Sequence, residues 1–138
     1  MAKKVVQEEV VTTSQVGVGR LVRVCVAAWL IPGFGHLLLG RKWRALILFV
    51  SIVGMFLLGL LMRGEFFTVR ADSYLQSLGY FGEMAVGVAM PAARFFGYDG
   101  GDPHFPGSGY GTAYLVTAGM LNVLALLDSY DIALGRKP

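Results

Sequence analysis

Residues 41–63 read RKWRALILFVSIVGMFLLGLLMR, and from Ala45 to Met62 the run holds neither charge nor proline. Wound as a helix at about 1.5 Å per residue, it covers most of a roughly 30 Å hydrocarbon layer. Arg44 stops it on one side and Arg63 on the other. Working outward, three more apolar segments bounded by charges appear, over 24–40, 73–93 and 110–127. The pattern predicts an all-α integral membrane bundle of three to four transmembrane helices.

The composition agrees. Of 138 residues 55% are hydrophobic and 15% charged, with mean hydropathy +0.60, whereas soluble domains carry about a quarter charged residues. An ordinary soluble globule is excluded, and the length leaves no room for a separate catalytic domain. The 19 glycines are about twice average usage and sit inside apolar runs, where they let helices approach closely. We divide the chain into a polar N-terminal tail, 1–19, and a single membrane domain, 20–138. The tail is long and partly acidic, unlike the short basic start of a signal peptide, so the first apolar segment is expected to stay. Cys25 is the one cysteine, which excludes an intrachain disulfide.

The net charge of +3 comes from cations clustered at segment ends. Nucleic-acid binding would need them along one soluble face with exposed aromatics, so no nucleic-acid partner is expected. Trp43, Tyr74, Tyr80, Phe81, Tyr98, Tyr110 and Tyr114 also fall near segment ends, as in an interfacial aromatic belt.

The first segment carries Pro32-Gly33-Phe34-Gly35-His36. Proline removes a backbone donor and glycine loosens the helix, so a kinked or re-entrant segment at Pro32-Gly33 is expected. The third segment has Glu83 at its centre and Pro91 near its end. The loop that follows, 94–109, gathers turn residues and should lie at the surface. The fourth segment should emerge from the apolar layer before Gly135. Counting Lys and Arg near the spans gives eight against four whether the first segment crosses or turns back, so orientation stays open. In both topologies the second, third and fourth segments cross, which predicts that Asp128 or Asp131 pairs with Arg63 or Arg70.

Several residues are candidates for chemistry. Pro32, Gly33, Gly35, His36, Gly40 and Arg41 read first as a structural turn. Alternatively His36 could be an axial ligand for a pigment or haem, or Arg41 could hold a lipid phosphate. Glu83 is an intramembrane carboxylate, expected to face the bundle and to be either protonated or bonded to Asn122, with a proton relay or ion site as the functional alternative. Ala118, Asn122, Ala125 and Ser129 form a small and polar stripe of the kind that packs helices. Metal, nucleotide and hydrolase signatures are missing. His104 with Asp99 or Asp102 lies in a surface loop, with Ser108 as its sole nearby nucleophile, so no enzyme is expected.

At Pro32-Gly33-Phe34-Gly35-His36-Leu37-Leu38-Leu39-Gly40-Arg41 the chain resembles small bacterial membrane proteins of unknown function with a P-G-x-G-H-x-x-x-G-[RK] motif. These are similar in turn to the two-transmembrane-segment domain family. The resemblance covers residues 22–62, and Asn122, Asp128 and Gly135-Arg136-Lys137 look like the final helix of the first group. Leu37-Leu38-Leu39 departs from the basic and aromatic residues of the second family, so only Gly33, Gly35, His36 and Gly40 carry over. The resemblance implies a multi-helix protein of the bacterial inner membrane without assigned chemistry.

The expected function is that of a non-enzymatic accessory or assembly subunit without a cofactor, acting through helix packing. Membrane lipids and protein subunits, or further copies of the chain, would be its partners. The alternatives are an ion or small-solute transport oligomer using Glu83 and Asn122, and a pigment- or haem-binding subunit using His36.

Overall fold

A computed structural model of the chain describes residues 1–4, 17–67, 74–98 and 100–136, and gives no account of the side chains of Tyr74, Leu75, Gln76 and Leu78. Among the described residues it is all-α, with α1 (Val18–Leu30), α2 (Phe34–Leu38), α3 (Lys42–Leu61), α4 (Tyr74–Met84), α5 (Ala89–Phe95) and α6 (Ser108–Ala133). Most of the 1–19 tail therefore lies outside the described residues, as do Arg70 and Asp99.

Two helices, α3 and α6, are long and apolar enough to cross a membrane. They pack antiparallel, because the end of α3 meets the start of α6: Gly59 and Gly64 abut Gly111. At the other end α2 bridges them, with Gly33 against the Ala45 carbonyl and Gly35 against Ser129. Ile52, Phe56, Leu115, Ala118 and Ala125 form much of the core, joined by Val86 and Met90 from the 74–98 region. Leu46, Ile47, Val50, Leu57, Leu124 and Leu127 point outward.

This corrects the expected count of three to four crossings. The 73–93 segment is no single span. Helix α4 runs in along α6, with Gly82 against Gly119, and a turn at 85–88 reverses the chain. Helix α5 then leads back to where the segment began: Tyr98 donates its hydroxyl to the Gly64 carbonyl at 2.6 Å, and the Phe66 N–H donates to the Gly100 carbonyl at 3.1 Å. The reason is local. Gly87 sits at φ 71°, a left-handed conformation that costs a side-chain-bearing residue about 1–2 kcal/mol and that ends the helix there. Hydropathy counts apolar residues and is blind to the direction in which they run.

The 24–40 segment is also two pieces. Helix α1 ends at Leu30, Ile31 is extended, Gly33 takes φ 78°, and α2 begins at Phe34. Helix α1 approaches from the same end as the start of α3, since Ala28 lies beside Gly35 and Ser129. Its end reaches Asn122, 93 residues away in the chain. The described chain is thus two hairpins, α1–α2 and α4–α5, entering from opposite ends of an α3–α6 pair.

Burial pushes the Tyr98 phenol above its ordinary pKa, which keeps the donor to Gly64 protonated. Its ring also meets Phe66 edge-on at 5.0 Å. A Tyr98→Phe variant should lose about 1 kcal/mol, the worth of one net hydrogen bond, in detergent-denaturation midpoints, while the wild-type helix content is kept.

Candidate functional site

The tips of the two hairpins meet beside the middle of α6. The Val88 N–H donates to the Leu30 carbonyl at 3.2 Å, joining the turn of one hairpin to the last residue of α1. An added Cβ at Gly87 would collide with the Trp29 carbonyl. Both incoming helices point their C-terminal ends at this place, so each arrives with carbonyls that have no partner within the helix.

Asn122 supplies part of what they lack. Its Nδ2 donates to the Trp29 carbonyl at 3.1 Å and to the Ala85 carbonyl at 2.7 Å. A side-chain amide has two N–H donors, and here each serves a different hairpin. Asn122 is 0% exposed. Its Oδ1 has no hydrogen-bond partner among the described residues. Ala118, Ala125 and Ser129 on the same stripe are buried as well, and the Ser129 hydroxyl donates to the Leu126 carbonyl at 2.8 Å.

Toward the end that carries α2, His36 is 1% exposed and its Nε2 lies 3.0 Å from Asp128 Oδ2. The other ring nitrogen is buried without a partner among the described residues. With Nε2 engaged by a carboxylate and the ring enclosed, an axial group could reach only Nδ1, and only if the packing around the buried ring opened. Pro32, Gly33 and Gly35 are buried around it, whereas Gly40 is exposed and turns the chain at φ 79°.

Arg63 is not the partner that a crossing third segment would give Asp128, and a pairing through Arg70 falls outside the described residues. Asp128 meets His36, and Arg63 meets Asp102 at 4.0 Å. Because the 73–93 segment returns instead of crossing, α6 starts beside Arg63 and ends at the opposite pole. Asp128 and Asp131 therefore lie about 25 and 30 Å along α6 from the Gly111 level. The Arg63–Asp102 couple is solvent-exposed at 61% and 44%. Such a pair contributes little, so Asp102→Asn, which removes the charge but keeps an oxygen for the backbone N–H of His104, should shift the denaturation midpoint by less than about 0.5 kcal/mol equivalent.

Glu83 faces inward as expected, at 1% exposure, but it does not bond Asn122. Its Oε2 accepts the Phe67 N–H at 2.9 Å, tying the chain after α3 to α4, while Oε1 has no partner among the described residues. In the surface loop, Asp102 Oδ1 accepts the backbone N–H of His104 at 2.9 Å, which makes it a turn former. Among the described residues no three His, Cys, Asp or Glu side chains gather closely enough to hold a metal ion.

Residues that carry no side-chain chemistry escaped the sequence reading: the Trp29 and Leu30 carbonyls, the turn at Gly87, and Gly119, whose missing Cβ admits the Gly82 carbonyl. The available signal was Gly87 followed four residues later by Pro91.

Two long apolar helices clasping two end-to-end hairpins define the class, an all-α bundle whose inner polar groups hold backbone. The chain belongs to a family of unknown function, DUF6677, whose profile matches residues 23–138 and so takes in both hairpins and both long helices. No curated protein and no solved structure matches the chain.

Proposed function

We propose that this chain is a non-enzymatic integral protein of the bacterial inner membrane that serves as an accessory or assembly subunit of a larger membrane complex. The observation that carries the reading is the contrast between its surfaces. Asn122, Ser129 and Glu83 bond to the chain's own backbone and His36 to Asp128, while large apolar side chains cover the outer faces of α3 and α6. In water that outer surface would be a liability. In lipid it is the required one, and half-length hairpins are tolerated at membrane depth because their backbones are buried in protein.

In this topology the Lys and Arg near the helix ends favour one orientation. Arg20, Arg23, Arg41, Lys42, Arg44 and Arg136 belong to the end where α3 starts and α6 finishes, against Arg63 and Arg94 at the other. The rule that cationic flanks stay inside makes the first end cytoplasmic.

The test is extraction of source membranes with alkaline carbonate, then purification in mild detergent with mass spectrometry of what accompanies the chain. Retention in the membrane pellet together with defined partner subunits is expected. Release by carbonate would end the membrane reading, and a monodisperse chain with no co-purifying protein would end the accessory one.

A second reading, a transport oligomer, has one observation in its favour. Broken helices meeting from opposite ends near the middle of a bundle are how many transporters build their sites. Glu83→Gln should abolish flux into liposomes if that reading holds, and unchanged flux removes Glu83 from it.

A further inference from the structure

Two large apolar grooves lie on the outside of the bundle, one beside each hairpin, and they differ in one respect. The groove between the α1–α2 turn and α3 has a volume of about 430 Å³ and is apolar from Ile31 and Pro32 to Phe49, except that Lys42 lines it. Lys42 is the first residue of α3, so the cation sits at the outer end of the groove and the Pro32–Gly33 turn lies deeper. Arg41 and Arg44 flank it in the chain. The counterpart groove between α4 and α6, at about 720 Å³, is larger and is lined by Phe67, Phe81, Val116, Met120 and neighbours, with no charged residue.

We propose that the α1–α2–α3 groove is a binding site for an anionic phospholipid. One acyl chain lies along Leu46 and Phe49 toward Pro32, and the headgroup phosphate rests on Lys42. The inference rests on the membrane reading above and gives it a ligand. Charge complementarity argues for the occupant: six described cations gather at this end, which is where anionic headgroups of the inner leaflet lie, and a single Lys or Arg near that surface is worth about 1 kcal/mol, or about fivefold in occupancy. The α4–α6 groove offers the same apolar contact without the cation and therefore serves as an internal control that takes acyl chains irrespective of headgroup.

The experiment is native mass spectrometry of the full chain, purified in mild detergent and exchanged against phosphatidylglycerol or phosphatidylcholine of matched acyl chains. The expected result is one phosphatidylglycerol retained with at least about fivefold preference over phosphatidylcholine, above any lipid that the α4–α6 groove holds without regard to headgroup. Lys42→Glu should abolish the preference, and Leu46→Trp, which fills the groove from an exposed position, should lower retention of that lipid. Lys42→Gln, an uncharged residue of similar length, keeps the test valid if the Glu variant fails to fold. Equal retention of the two lipids, or a preference that survives both Lys42 variants, overturns the proposal. Failure of the membrane reading is distinguishable, because carbonate would then release the wild-type chain from membranes whatever the lipid result.

Discussion

Gly87→Ala should lower stability by about 3 kcal/mol, read as the midpoint of a denaturing-detergent titration followed by helical circular dichroism. Two costs add. The left-handed backbone at φ 71° disfavours any residue with a Cβ by about 1–2 kcal/mol. That Cβ would also meet the Trp29 carbonyl and the Leu30 backbone, and overpacking a fitted interface costs about 1–3 kcal/mol more. Neither neighbour is a side-chain tip that could swing aside. Gly54→Ala is the control, since Gly54 lies inside α3 with nothing within 4 Å of its added methyl; it should be neutral or stabilising by up to about 1 kcal/mol. If both variants unfolded at the same midpoint, the hairpin tip would not be seated against α1.

Asn122→Ala should cost about 2–4 kcal/mol. It removes both donors at once and strands the Trp29 and Ala85 carbonyls in the interior, where an unpaired polar group costs about 1–3 kcal/mol. Asn122→Asp distinguishes the donor from the shape. The carboxylate has nearly the same outline but no N–H to give, and it would face two carbonyl oxygens. It should be at least as damaging as alanine in the same titration. A mild Asp variant would mean that Asn122 fills space and does not bind the hairpins.

Much of the architecture was legible in the chain. The uncharged run from Ala45 to Met62 became α3, and the last apolar segment became α6, because length and hydropathy suffice to mark a helix that runs straight. Those measures failed over 73–93, where α4 and α5 together are as long and apolar as a span but turn back at a glycine. The expectation of Arg63 beside Asp128 failed for the same reason, since a segment that returns instead of crossing reverses which pole of α6 lies beside Arg63. The inward orientation of Glu83 could be read from its spacing to Gly79 and Gly87. Its partner could not, because the Phe67 N–H belongs to backbone that no side-chain pattern advertises. The same holds for Asn122: its helix face was readable, its two carbonyl partners were not.

The side chain that holds both hairpin tips belongs to the last helix in the sequence, and this sets an order on biosynthesis. When α1, α2 and α3 have emerged from the ribosome, the end of α1 still lacks the donor that Asn122 brings from 93 positions downstream of Trp29. The α4–α5 hairpin emerges to the same deficit. Until α6 enters, the nascent chain carries two short helices whose carbonyl ends lack the donor that Asn122 supplies. The two hairpin tips can therefore be joined only once α6 is present to dock between them. A chain ending before Asn122 would leave both hairpin tips without their shared donor, whatever the rest of it can fold.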